Sequence, residues 1–139
     1  MIPSWTSRKE GGCFVITASA AGLLTQIGSL EYAVTKSSAV SVAEFLAITY
    51  GLSGVRVTVI CPQAVNTPMV SGPNVVAAVD GMLEPDDVAC ETILAIQQGK
   101  FLVAMPGVVT TYIQRKTSDY DRWIKGMQRL NSKFINSSL

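Results

Sequence analysis

Three short apolar runs dominate this sequence: CFVIT (13–17), VRVTVIC (55–61) and FLVAM (101–105). Each is nearly continuous in hydrophobic or β-branched residues, as in strands buried on both faces of a parallel sheet. Each is separated from the next by enough chain to hold a crossover helix. Ser29 is a candidate N-cap for a long helix over about 30–50, ended by Gly51 and Gly54. Pro85, with Asp86 and Asp87 in the first turn and Gly99 beyond the last, marks a second helix. Strand and helix therefore alternate, which makes an α/β chain with a parallel sheet and right-handed crossovers. In such sheets ligands bind beyond the carboxyl ends of the strands, here the loops after residues 17, 61 and 105.

A chain of 139 residues with 48% hydrophobic side chains is expected to be a single domain with its own core. Its net charge of +1 is unevenly spread. Residues 1–110 are net acidic, whereas residues 108–139 form a basic, helical C-terminal segment. There Arg115, Lys116, Arg122, Lys125, Arg129 and Lys133 flank apolar residues at helical spacing. A terminal cap with a solvated basic face is the favoured reading of that segment. Contact with a membrane surface is disfavoured, and no platform for nucleic acid is present. Ser118, with Asp121 three residues on, suggests a capping box at the start of this helix.

With no histidine, the chain has no Ser-His-Asp triad, no Cys-His pair and no His-containing metal site. Cys13, Cys61 and Cys90 are odd in number, widely spaced and set among apolar residues. They read as small buried hydrophobes, with neither a disulfide framework nor a metal cluster. The opening MIPSWTSRKEGG lacks the apolar run of a signal peptide, and a cytoplasmic location is expected. The closing Ser137-Ser138-Leu139 lacks the lysine of a peroxisomal tripeptide.

Chemistry concentrates in LEYAVTK. Tyr32 and Lys36 lie one turn apart on one helix face. A tyrosine ordinarily keeps its proton well above neutral pH, and a fixed cation beside it favours the phenolate. Such a phenol can protonate a carbonyl oxygen or deprotonate an alcohol. Spacing alone is weak support, because Tyr112 and Lys116 repeat it. The first pair gains from Ser19, just past the first strand, whose hydroxyl could hydrogen-bond the same substrate oxygen. A glycine, Gly99, stands at the corresponding distance before Tyr112.

VITASAAGL followed by YAVTK resembles the short-chain dehydrogenase/reductase family, and VRVTVICPQAVNTPM extends the resemblance, which covers residues 11–105. It implies the C-terminal half of a Rossmann-type doubly wound sheet: three parallel strands, their crossover helices and a C-terminal helix. It also implies an oxidoreductase interconverting an alcohol and a ketone or aldehyde with NAD or NADP. Ser19 would orient the substrate carbonyl, and Tyr32 would exchange the proton. Lys36 would hold the nicotinamide ribose, while Pro62, Val65 and Thr67 would contact the nicotinamide end. The long helix would pair with a second subunit through residues such as Phe45, Ile48 and Thr49. The apolar segment 69–83, with Asp80 as its one acid, would form the substrate loop and suit an apolar alcohol or carbonyl compound.

Two departures accompany the resemblance. Gln63 stands where the family usually has glycine. The glycine-rich turn that seats a pyrophosphate on a helix N-terminus is absent, as is an acidic residue after it. The competing expectation is therefore a non-catalytic fragment or isoform that binds no cofactor and associates with family subunits. Half a doubly wound sheet also leaves a strand edge open and apolar surface uncovered.

Overall fold

The computed structural model describes residues 2–8, 11–70 and 76–136. The C-terminal tripeptide and part of the 69–83 segment, residues 71–75, lie outside them. In order come α1 (Ile2–Arg8), β1 (Gly12–Thr17), α2 (Ala21–Leu24), α3 (Leu30–Tyr50), β2 (Val55–Pro62), α4 (Pro85–Gln97), β3 (Leu102–Met105), α5 (Val108–Ser118) and α6 (Tyr120–Asn136).

The three strands form one sheet in the order β1-β2-β3, parallel throughout. Gly12 pairs with Val55 and Thr17 with Ile60, while Val59 pairs with Leu102 and Pro62 with Met105. The central strand β2 is buried at every residue except Arg56, which explains its β-branched sequence. Val59 and Cys61 are fully buried there, packed with Ala18, Val40, Ala43, Val55 and Val57. Each such valine contributes about 1.5–3 kcal/mol. Thr58, the polar residue buried within β2, donates its hydroxyl to the Lys100 carbonyl at 2.9 Å.

The register carries the backbone past the end of β1. Ala18 N–H donates to Ile60 O, and Ala20 N–H to Pro62 O, both at 2.8 Å. The chain then turns through α2 into α3, where the sequence suggests only a loop. Gly22 makes that turn possible: a Cβ there would lie 2.5 Å from the carbonyl oxygen of Lys36 on α3. Ser37 Oγ donates to Gly22 O at 3.0 Å across the same contact. At the far end of α3, Gly54 adopts φ +85° and turns the chain into β2.

Several expectations need correction. The first strand is not buried on both faces: Val15 is 40% exposed and Thr17 is exposed, because β1 is an edge strand here with one uncovered face. Ser29 precedes α3 but makes no side-chain cap; its carbonyl accepts the Ala33 N–H instead. Ser118 does not start a helix. It ends α5, donating to Arg115 O at 3.1 Å, and Asp119 caps α6 by accepting the Arg122 N–H at 2.9 Å. Cys90 is exposed on α4, unlike the half-buried Cys13 and the buried Cys61. No helix among the described residues is long and apolar enough to cross a membrane.

The long helix α3 is apolar on two sides. Ala33, Val40 and Ala43 face the core, while Leu30, Val34, Val42, Phe45 and Ile48 are each more than half exposed. α6 packs on α5, with the Tyr112 and Trp123 rings 6.3 Å apart and tilted by 47°.

Candidate active site

Ser19 lies two residues beyond β1 and is 7% exposed. Its hydroxyl donates to the Pro62 carbonyl at 3.3 Å and accepts the N–H of Ala21 at 3.1 Å. These bonds tie together the carboxyl ends of β1 and β2 and start α2. One hydroxyl lone pair remains for a ligand.

Tyr32 is in the first turn of α3 and 37% exposed. Lys36, one turn on, has its Nζ 5.5 Å from the Tyr32 ring centroid. The same ammonium donates to the carbonyl of Thr17, the last residue of β1, at 3.3 Å. Two of its three N–H groups stay available. The close approach at Gly22 fixes the height of α3 against this strand end, and therefore where Lys36 reaches.

The repeated spacing at Tyr112 and Lys116 produces no such pair. The Tyr112 hydroxyl donates to Asp80 Oδ1 at 2.8 Å, and the cation over its ring is Arg115, at 5.8 Å. Lys116 instead donates to Leu23 O and lies 5.6 Å from the Tyr120 ring. Burial, reinforced by the bond to Asp80, raises the Tyr112 pKa above its ordinary value.

Pro62 ends β2, and Val65 and Thr67 belong to the loop after it. Pro62 is buried, and its carbonyl receives both the Ser19 hydroxyl and the Ala20 N–H. Val65 bridges to Leu83, and the Thr67 hydroxyl donates to Val65 O at 3.3 Å. Backbone bonds from Ala64 to Ala77 and from Asn66 to Leu83 fasten this loop to the segment after residue 76. Cys61, just before Pro62, sits against the Ser19 backbone. Burial pushes its thiol up to about 11, opposed by the Ser19 hydrogen bond and the Lys36 charge.

A cavity of about 730 Å³ opens beside Ser19, between the 24–27 loop, residues 76–79 and the α5–α6 pair. Ser19 lines it; Tyr32, Lys36, Val65 and Thr67 do not. Gln63 also lines it, donating through Nε2 to Asp80 Oδ2 at 3.1 Å, while its buried Oε1 has no partner among the described residues. The sequence marks Gln63 only as a departure from glycine, and it reads Arg115, Arg122 and Arg129 as a basic face beside an apolar stripe holding Trp123; all four also line this cavity. Their shared cavity follows from how α5 and α6 fold back, which no local pattern encodes. Among the described residues no group of His, Cys, Asp or Glu is placed to hold a metal.

Residues 3–90 match the family model described as enoyl-(acyl carrier protein) reductase. The chain belongs to the short-chain dehydrogenase/reductase family. This dehydrogenase/reductase chain is 28% identical over 130 residues to the oxidoreductase UcpA of Escherichia coli, covering 94% of itself and 48% of that protein. A meso-2,3-butanediol dehydrogenase of Serratia marcescens is 38% identical over 64 residues, 46% of this chain and 26% of the enzyme. In fold it resembles a short-chain dehydrogenase from Sphingobium yanoikuyae in complex with NADPH. That likeness has a TM-score of 0.68 at 18% identity and covers 94% of this chain and 48% of that one. The chain thus spans about half the length of the curated relatives it matches over most of its own length.

Proposed function

We propose that the chain carries the catalytic half of an NAD(P)-dependent oxidoreductase interconverting an alcohol and a ketone or aldehyde. The observation that carries this reading is the pairing of Lys36 with Tyr32 next to the end of β1, which the equally spaced Tyr112 and Lys116 do not reproduce.

Tyr32 is the general acid in the reducing direction and the general base in the oxidising one, its phenol exchanging a proton with the substrate oxygen. Lys36 holds positive charge beside that phenol while Thr17 O fixes its position. Ser19 offers its hydroxyl to the same oxygen, releasing the 3.3 Å bond to Pro62 O. The donor set here fits the nicotinamide and ribose end of a dinucleotide: Lys36 has N–H groups to spare, and Tyr32 is accessible. Tyr32, Lys36, Pro62, Val65 and Thr67 would hold that end. When bound, the nicotinamide supplies or accepts the hydride. Nothing in the 139 residues supplies the glycine-rich seat for the diphosphate.

That lack, with the uncovered face of β1, favours a second reading, in which these residues bind no nucleotide alone and act only joined to family subunits. The exposed apolar stripe of α3 suits a second copy of the chain, making a homo-oligomer through residues 30–50.

Calorimetric titration of the folded chain with NADH and with NADPH separates the readings. Saturable binding supports the oxidoreductase acting through its own residues. A folded chain that binds neither nucleotide would leave only the second reading.

A further inference from the structure

The cavity beside Ser19 has two chemically distinct parts. Its walls include Leu24, Ile27, Val79, Trp123, Met127 and Leu130, an apolar surface suited to a hydrocarbon body. Ser19 and Gln63 mark the part nearest the strand ends. There the buried Gln63 Oε1 has no donor among the described residues, a costly state for a carbonyl oxygen that a ligand hydroxyl would relieve.

Against α5 and α6 the lining residues are mostly basic: three arginines, Arg115, Arg122 and Arg129, with one acid, Asp119. Asp119 accepts the Arg122 N–H as the α6 cap, and Arg115 lies over the Tyr112 ring. Arg122 and Arg129 stand two helical turns apart on one face of α6, about 10 Å along its axis. These arginines are exposed and also line the cavity.

We infer that this cavity takes an alcohol or ketone whose apolar body ends in a carboxylate, with the oxygen to be transformed near Ser19 and the carboxylate held by Arg122 and Arg129. Guanidinium groups recognise carboxylates through paired, charge-assisted hydrogen bonds. The inference rests on the reading of Ser19 as the reacting end of the site, and adds the substrate class to it.

The test titrates the full chain with ω-hydroxydecanoate and with its methyl ester, following calorimetric heat and the emission of its two tryptophans, of which Trp123 lines the cavity. The acid is expected to bind about five-fold more tightly than the ester or better, with a preference that shrinks as salt is raised. Changing both Arg122→Gln and Arg129→Gln should bring the acid down to the affinity of the ester and leave the ester unchanged. Both arginines are exposed, and the salt dependence of the wild type tests the charge without any variant. Equal affinity for acid and ester, no binding of the acid, or a preference that survives the double change would each overturn the inference. Failure of the oxidoreductase reading has a different signature: the acid preference persists while neither NADH nor NADPH binds.

Discussion

The Lys36 ammonium donates to the carbonyl of Thr17 at 3.3 Å, joining helix α3 to the last residue of strand β1. This bond holds the cation at the end of the sheet, 5.5 Å from the Tyr32 ring. Its anchorage depends in turn on Gly22, where α2 meets α3 backbone to backbone.

Tyr32→Phe should remove the phenolic proton and little else, since the side chain is substantially exposed and no core contact depends on its hydroxyl. In a protein that carries these residues within a fold as long as the family relatives, kcat is expected to fall by about 10²–10⁴-fold, with nucleotide affinity nearly unchanged. Steady-state kinetics beside a nucleotide titration checks both parts. Turnover that survives the change would remove Tyr32 from its assigned role.

Gly22→Ala places a methyl group 2.5 Å from Lys36 O, and its three nearest atoms are all backbone, so no flexible side chain can yield. A loss of about 2–3 kcal/mol is expected by urea denaturation. Any separation of α2 from α3 also shifts Lys36 away from Thr17. Gly28→Ala is a useful contrast: a Cβ there meets nothing within 4 Å, and its cost comes from φ +79° alone.

Cys61 gives a pH prediction. Its folded pKa of about 11 is raised from 9.0 by burial, so the folded state keeps a proton that the unfolded chain loses first. Its contribution is therefore complete below pH 9 and disappears as pH rises towards 11. Over that window wild type should lose about 2–3 kcal/mol more than Cys61→Ala, read from urea midpoints at each pH. Parallel curves for the two proteins would show that the thiol does not carry the alkaline loss.

The outer stripe of α3 predicts self-association. Phe45 is 62% and Ile48 82% exposed, so replacing both with glutamate removes no buried contact. Sedimentation should show the wild-type chain associating and the Phe45→Glu, Ile48→Glu variant moving towards monomer at unchanged helicity. A wild-type monomer at high concentration would end the proposal that α3 is an interface.

Much of this molecule is written locally. Alternation of apolar runs with capped helical segments set three parallel strands, because β-branched runs and Pro–Gly punctuation act over a few residues. Ser19, Tyr32 and Lys36 were legible for the same reason: two share one helix face and the third follows a strand. Spacing alone does not rank Tyr32–Lys36 against Tyr112–Lys116; in the sequence only Ser19 and the strand before it favour the first pair. In the fold their partners differ: the β1 end for one, Asp80 and the α2 region for the other. Gly22 shows no special backbone angle or sequence signature, and its necessity comes from a residue on another helix. The cavity is likewise tertiary, since Gln63, Arg115 and Trp123 meet only when α5 and α6 fold back beside the strand ends. Local chemistry determines which residues can react; long-range packing determines which of them share a space.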